Sequence, residues 1–361
     1  MMDVSRPNLV AVVIAGGSGT RFWPLSTPDR PKQFLHLFGD QTMLEHTVDR
    51  LKGLVPPERI LIVTGRRFTN TVRELLPAIP PANIIGEPQG RDTAAALVLA
   101  GLVCRQRWGD PVMAVLPADH VIEPTGALHE AVRSAAAAAG RDRLYTFGIR
   151  PDHPATGYGY LQAGEPVLED GLVHRRVVRF REKPSREVAE EYLRTGGYFW
   201  NSGMFVWSTG AFLRAVERHL PEHARLLFPL ERWVDEAEWD ERLEDAFGRV
   251  PRISVDYGVM EKAAEVYMVE APFRWSDVGG WPALAPFLTG DGKGNAVRGR
   301  VHSWNAEKNI VFCEDDAEVV ALVGVEDLIV VRAGKRTLVA RKDRAEDIKR
   351  LVESLQLRGS L

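Results

Sequence analysis

The chain has 361 residues, 45% of them apolar and 26% charged, with a formal net charge of −3. That length holds one large α/β domain plus a smaller one. The near-neutral balance excludes a global basic field for nucleic acid, so any anion binding must come from local clusters. The two cysteines, Cys104 and Cys313, lie far apart and form no CxxC. This excludes a zinc site or disulfide framework and fits a reducing compartment. No apolar run approaches about 18 residues, so no spanning helix is expected. The N-terminal apolar run is short and ends in glycines rather than a cleavage site, so a cytoplasmic location is expected.

The first element is the β-rich run Leu9-Val10-Ala11-Val12-Val13-Ile14, which stops at Ala15-Gly16-Gly17-Ser18-Gly19-Thr20-Arg21-Phe22-Trp23-Pro24-Leu25. A buried strand that feeds a glycine cluster makes a phosphate-sized loop, because glycine lets backbone N–H groups approach an anion. Arg21 adds a bidentate donor. Eleven residues on, Pro31-Lys32-Gln33-Phe34 returns a lysine near the same strand end. The spacing is neither G-x-G-x-x-G running into a helix nor G-x-x-x-x-G-K-[ST], which excludes the dinucleotide fingerprint and the P-loop. Trp23-Pro24 blocks helix entry, so the loop is long.

Thr42-Met43-Leu44-Glu45 is a capping box that opens a helix to about Leu51. Further strands are predicted at 59–63, 83–86, 112–116 and 144–148. Helices are predicted at 93–107, with Asp92 as its cap, and at 128–139, where Ala135–Ala139 reads as close packing. This βαβ alternation predicts a mostly parallel sheet with helices on both faces. From Tyr158 on, strands at 158–163, 173–181 and 199–207 interleave with helices at 185–195 and 209–219. Helical patterns at 231–247 and 255–264 follow, then a strand at 265–270. Gly290-Asp291-Gly292-Lys293-Gly294-Asn295 reads as a linker. Beyond it lie short β segments at 309–312, 319–323 and 328–331 and a helix at about 345–357. The predicted domains are 1–289 and 295–361. Periodicity leaves the tail open between β coils and a small sandwich or roll.

Chemistry is expected at strand ends, outside the carboxyl edge of an open sheet. Asp119, in Leu116-Pro117-Ala118-Asp119-His120, follows the fourth strand and suits a hard cation such as Mg²⁺. Asp277, in Trp275-Ser276-Asp277-Val278-Gly279-Gly280-Trp281, is a second carboxylate after a strand. His120 suits Mg²⁺ poorly. Glu87-Pro88-Gln89-Gly90-Arg91-Asp92-Thr93 leads a helix whose N-terminus favours anions, and its polar groups can read a base edge. Thr156-Gly157-Tyr158-Gly159, Phe180-Arg181-Glu182-Lys183 and Trp200-Asn201-Ser202-Gly203 place polar groups where sugar hydroxyls can be read.

Together these residues resemble the sugar-nucleotide pyrophosphorylases, whose signature is GG-x-G-T-R-x-x-P-L followed by PK. The Phe-Trp-Pro-Leu-Ser and Pro-Lys-Gln-Phe-Leu wording is similar to the mannose-1-phosphate guanylyltransferase branch. The resemblance implies a Rossmann-like nucleotidyltransferase sheet and a short β-helical tail. It implies Mg²⁺ on Asp119 and Asp277, and synthesis of GDP-mannose and pyrophosphate from GTP and mannose 1-phosphate. It puts Gly16, Gly17, Gly19, Thr20, Arg21, Lys32, Glu87, Pro88, Arg91, Asp92 and Thr93 on the nucleotide. It puts Gly157, Glu182, Lys183 and Asn201 on the sugar phosphate, and makes Arg21, Lys32, Asp119, Lys183 and Asp277 the catalytic set. It implies a homodimer with no nucleic-acid or membrane partner. The chain departs from many relatives at Asp92, where they carry Asn, and at Ala95, where they carry Pro. A fused isomerase activity is not expected, because His302 is the only histidine after Gly290. Two other readings stay open: a sister enzyme using another hexose 1-phosphate or nucleotide, and a non-catalytic sugar-nucleotide sensor of the same fold.

Overall fold

The structure, a computed structural model, describes residues 8–17, 19–139, 143–169 and 171–357, with no account of the side chains of residues 168 and 169. Packing divides the chain into two compact units that do not follow chain order. The first runs up to Gly16 and takes in Thr47–Ala118 and Ile122–Trp275. The second takes in Gly17–His46, Asp119–Val121 and the chain from Ser276 on.

The first unit is built on a nine-stranded sheet. Its strands are β1 (Leu9–Ala15), β2 (Ile60–Gly65), β3 (Ile84–Glu87), β4 (Val112–Pro117), β5 (Leu144–Ile149), β6 (Tyr160–Glu169), β7 (Leu172–Arg181), β8 (Tyr198–Ser208) and β9 (Val266–Glu270), in the order β3-β2-β1-β4-β8-β5-β9-β7-β6. The expected parallel ladder holds from β3 to β4, with Val12 opposite both Leu61 and Val115. Beyond β4 the sheet is mixed. β8 enters antiparallel between β4 and β5, and β6 and β7 form an antiparallel hairpin. The run of apolar residues in β1 to β4 carries no alternation, as befits strands covered on both faces.

The helices are α1 (Met43–Asp49), α2 (Thr69–Leu75), α3 (Asp92–Trp108), α4 (Thr125–Ala139), α5 (Arg186–Thr195), α6 (Thr209–His219), α7 (Pro221–Leu227) and α8 (Trp239–Arg249). The capping box closes as read: Glu45 N–H donates to Thr42 Oγ1, and Thr42 N–H donates back to Glu45 Oε2 at 2.7 Å. α3 is buried from Ala94 to Cys104, so it is apolar on all sides. Three expectations change. Asp92 does not cap α3: it sits at φ +61°, and its carboxylate accepts from Arg252. The single helix expected at 231–247 is broken, because Asp235 turns at φ +66° to meet Arg107; a 3₁₀ segment Phe228–Trp233 precedes it and α8 follows. The helix expected at 255–264 is a π turn, Asp256–Met260.

The second unit answers the question of the tail. Its strands are β10 (Ala296–Arg298), β11 (Arg300–Trp304), β12 (Ile310–Cys313), β13 (Val319–Val323), β14 (Leu328–Ala333) and β15 (Arg336–Arg341), followed by α9 (Asp347–Leu357). β10, β12 and β14 stack in parallel, β11 and β13 form a second parallel ladder, and β15 turns back antiparallel on β14. Parallel ladders between successive short strands are the mark of β coils, not of a sandwich. Buried Asn295 and Asn309 bridge consecutive coils. Asn295 Oδ1 accepts from the Asn309 backbone and side chain, and Asn309 Oδ1 accepts from Leu328 N–H. One core joins these coils to the glycine-loop segment: Phe22, Leu25, Leu35, Leu37 and Met43 pack with Trp281, Ile310, Phe312, Ile329, Val331 and Ile348. No helix among the described residues is long and apolar enough to cross a membrane.

Candidate active site

In the second unit the glycine loop is folded around Lys32. Gly19 sits at φ +58°, and a Cβ there would overlap the Lys32 side chain, so only glycine fits. Ser26 Oγ donates to the Gly19 carbonyl at 2.7 Å. The 3₁₀ turns Thr20–Phe22 and Lys32–Phe34 carry the loop. Phe22 is buried edge-on against Trp281, which packs in turn on Phe312.

Lys32 is only 5% exposed. A buried ammonium is costly unless fully bonded. Its Nζ donates to Asp119 Oδ2 at 2.9 Å and to the main-chain carbonyl of Asp277. Burial pushes the Asp119 carboxyl up, but Lys32 and His120 together hold it below the usual carboxylate range. Val278, buried at φ +43°, anchors the turn after Asp277 by donating its N–H to Ser276 Oγ at 3.1 Å. A Cβ on Gly279 would lie 3.0 Å from both Arg21 Nη1 and Asp277 Oδ2, so both side-chain ends lie close against this glycine. Arg21, Lys32, Asp119 and Asp277, four of the five residues expected to be catalytic, are thus brought close together. The described residues hold no group of three His, Cys, Asp or Glu side chains that could bind a metal. Two aspartates are a hard oxygen set that fits a divalent cation whose remaining ligands are phosphate and water.

In the first unit, the loop from β3 into α3 carries the expected base-side residues. Glu87 is buried, and its Oε1 has no hydrogen-bond partner among the described residues. Burial, then the charge of Asp92, pushes its carboxyl up to about 8. Its Oε2 lies 3.9 Å from where a Cβ on Gly16 would be. Gly16 and Gly17 are exposed and Pro88 is half-buried. The next three side chains face the protein. Arg91 donates to the Phe247 and Gly248 carbonyls at 2.7 and 2.9 Å. Asp92 accepts from Arg252, and Thr93 Oγ1 accepts from Val255 N–H at 2.9 Å. The start of α3 is also partly engaged, since Ala94 N–H donates to the Ile253 carbonyl.

The expected sugar-side residues form a second cluster in the same unit. A Cβ on Gly159 would overlap Glu182, so glycine makes room for that carboxylate. Lys183, at φ +43° and half-exposed, donates to Glu182 Oε1 at 2.8 Å. Burial opposes its charge, but the Glu182 bond keeps its pKa above the usual lysine value. Asn201 Nδ2 donates to Asp256 Oδ1 at 2.9 Å, and Thr146 Oγ1 meets Asn201 Oδ1 at 2.7 Å. The Glu182 N–H donates to Glu261 Oε1 at 2.8 Å. Burial, then the charge of Glu182, pushes the Asp256 carboxyl up to about 7. Gly157 is exposed, with open space around its Cβ position. Thr146, Asp256 and Glu261 are absent from the sequence reading. Their signal was a polar residue inside an apolar run, Leu144–Ile149 for Thr146 and Val255–Met260 for Asp256.

A glycine loop after the first strand, two aspartates beside a buried lysine and an α/β sheet are the features expected of a nucleotidyltransferase, and the family comparison gives that class. The Nucleotidyl transferase family model matches residues 10–290, and the MannoseP isomerase/GMP-like beta-helix domain matches 299–355. The chain belongs to the nucleotidyl transferase family. It is 39% identical over 354 residues to a mannose-1-phosphate guanylyltransferase of Escherichia coli, covering 96% of this chain and 74% of that one. It is 35% identical over 357 residues to the alginate biosynthesis protein AlgA of Pseudomonas syringae pv. tomato, covering 97% and 72%. A crystal structure from Thermus thermophilus, named there a "mannose-1-phosphate geranyltransferase", superposes with a TM-score of 0.85 at 39% identity, covering 97% and 99%. Within the family the chain is an enzyme of the mannose-1-phosphate guanylyltransferase type. Nucleotidyltransferases of this family generally use a divalent metal.

Proposed function

We propose that the enzyme joins GTP and mannose 1-phosphate in one in-line step. The sugar phosphate oxygen forms a bond to the α-phosphorus, the bond to the β-phosphate oxygen breaks, and pyrophosphate leaves. Positioning and charge neutralisation carry such a step, and no covalent enzyme intermediate is needed. The observation that carries this reading is the buried Lys32 ammonium, bonded both to Asp119 and to the Asp277 backbone. A lysine held there is a preorganised positive charge for a developing phosphate oxyanion.

Lys32 stabilises charge on the α-phosphate, and Arg21 holds the phosphates that leave. Asp119 and Asp277 would hold Mg²⁺, which when bound supplies a Lewis acid for the phosphate oxygens. Lys183 takes the sugar phosphate, while Glu182 and Asn201 take ring hydroxyls. Glu87 takes guanine: adjacent N1–H and N2–H donors match one carboxylate, and its Oε1 stands unpaired. Gly16, Gly17, Gly19 and Thr20 serve through their backbone, and Arg91, Asp92 and Thr93 hold the base loop in shape. The cysteines are free and buried, which supports a cytoplasmic setting.

The test is pyrophosphate release with mannose 1-phosphate across GTP, ATP, UTP and dTTP, then GTP with glucose 1-phosphate. A hydroxyl-reading site loses roughly 1–3 kcal/mol per polar group left unpaired by the wrong epimer. GTP with mannose 1-phosphate should therefore lead by about 10-fold or more in kcat/KM. Preference for another nucleotide or for glucose 1-phosphate would support the sister-enzyme reading instead.

A further inference from the structure

The turn Asp256–Met260 is closed by the Glu261 N–H donating to the Asp256 carbonyl at 2.9 Å, an i to i+5 bond. Turns this wide are rare and recur at functional sites. Here the turn aims two acids, five residues apart, at two neighbouring partners. Asp256 Oδ1 accepts from the Asn201 amide, and Glu261 Oε1 accepts from the Glu182 backbone. Those partners are the two residues assigned to sugar hydroxyls.

The hydrogen bonds of the Asn201 amide can be counted. An asparagine offers two lone pairs on oxygen and two N–H donors. Thr146 Oγ1 lies 2.7 Å from Asn201 Oδ1 and 2.9 Å from the Met204 carbonyl. Its single proton serves one acceptor at a time, so this contact alone does not orient the amide. The Gly203 N–H can only donate, and it reaches Asn201 Oδ1 at 3.3 Å. Asp256 Oδ1 faces Nδ2 at 2.9 Å, and a carboxyl group keeps a bare accepting oxygen for that N–H whether it is ionised or carries its proton on the other oxygen. A donor on one side and an acceptor on the other fix the amide in one orientation. One N–H is then spent on Asp256, and the other has no hydrogen-bond partner among the described residues.

We propose that Asp256 is a positioning residue for the sugar half of the substrate site, locking the Asn201 amide so that its remaining N–H is presented to a sugar hydroxyl. This rests on the reading that Asn201 binds the sugar. Without Asp256 the amide keeps its buried acceptor contacts but loses the partner that aims its nitrogen, and the oxygen and nitrogen ends compete for the same place. Asp256 itself need not touch substrate.

The experiment uses the full chain and compares Asp256→Ala, Asp256→Asn and Asn201→Ala, each shown to be folded by its thermal transition. The readouts are kcat and the separate KM values for mannose 1-phosphate and GTP. Asp256→Ala should raise the KM for mannose 1-phosphate about 10-fold, the size of one good hydrogen bond lost, with the GTP KM within about 2-fold of wild type. Asp256→Asn keeps an oxygen that accepts from Asn201 and should recover most of the loss. If Asp256→Ala does not fold, Asp256→Ser replaces it. Its shorter side chain withdraws the acceptor from Asn201 Nδ2 and should raise the same KM to a similar degree with GTP unmoved. Asn201→Ala separates the two claims. If it raises the sugar KM while Asp256→Ala, or its Asp256→Ser substitute, does not, the positioning role is overturned alone. If Asn201→Ala leaves the sugar KM unchanged, the sugar assignment itself is overturned. Equal losses of sugar and GTP affinity in folded Asp256→Ala also overturn the proposal.

Discussion

The cluster around Lys32, proposed to handle phosphate, and the cluster around Asn201, proposed to read the sugar, are assembled in opposite ways. Arg21, Lys32, Asp119 and Asp277 come from four loop segments whose charges are themselves the motif, and one buried lysine ties two of the other segments together. Thr146, Asn201, Asp256, Glu182 and Glu261 sit on two strands, a strand end and a π turn with its flank, joined by a chain of side-chain and backbone hydrogen bonds. The first design concentrates free energy in a few charges. The second spreads it over a network in which each bond is modest. Substitutions should therefore fall steeply in the first cluster and by degrees in the second.

The steepest losses are expected at the charges. Lys32→Ala should lower kcat by about 10²–10³, the cost of removing one preorganised charge stabiliser. Asp119→Ala and Asp277→Ala should nearly abolish turnover, and chelation should do the same to wild type until Mg²⁺ is restored. Steady-state kinetics at limiting Mg²⁺ decides this. Undiminished activity of both aspartate variants there would remove the shared-metal assignment.

A comparable effect, in stability, is expected in the tail. The linker at 290–295 and the lack of chemical motifs beyond it predict a tail that supports assembly or stability, with GTP binding kept in any soluble fraction of a truncated chain. The packing ties that support to the glycine loop itself. Phe312 lies 5.3 Å from Trp281, which lies 5.1 Å from Phe22 on the glycine loop. Phe312→Ala should cost about 3–5 kcal/mol in denaturant unfolding, through lost burial and a cavity in that shared core. Truncation at Gly290 should remove GTP binding together with the order of the loop. GTP binding that survives in a truncated, folded chain would separate tail from site after all.

This is also where sequence reading reached its limit. The glycine loop, Lys32 and the two aspartates were legible because local spacing and residue type define them. The alternation of strands and helices gave β1 to β5 nearly to the residue. What local pattern does not carry is long-range pairing: the antiparallel entry of β8, and the joining of residues 22 and 312 in one core. Asp92 read as a cap because its type suits one, yet tertiary contact with Arg252 won. Asp256 was hidden for a related reason. An acid among Val255, Val259 and Met260 fits the polar side of a helix, and only the wide turn turns it toward Asn201.

Between the two clusters in expected size stands Glu87, whose effect should depend on pH. In the free enzyme burial keeps its carboxyl protonated up to about 8. Two N–H donors from guanine favour the carboxylate, so binding lowers this pKa and releases a proton. GTP affinity should then rise with pH up to about 8, by at most about 10-fold per unit. Titration calorimetry at pH 6.5 to 8.5, set against Glu87→Gln, isolates the effect, since the titration of GTP itself is common to both proteins. Equal slopes for the two proteins would take Glu87 out of base recognition.

The smallest effect is expected where the tail meets the Lys32 cluster by charge alone. Glu346 lies 3.7 Å from Arg21 Nη1, but the two side chains are 83% and 44% exposed. An ion pair so open to water gains little, because solvent screens the charges and both side chains lose freedom to hold it. Glu346→Gln should therefore change kcat and the GTP KM by less than about 2-fold. Set beside Phe312→Ala, it asks whether the tail supports the glycine loop through its core or through its charge. A Glu346→Gln loss comparable to that of Phe312→Ala would mean that the tail acts on Arg21 directly, and the division between a charged catalytic cluster and an apolar support for it would have to be given up.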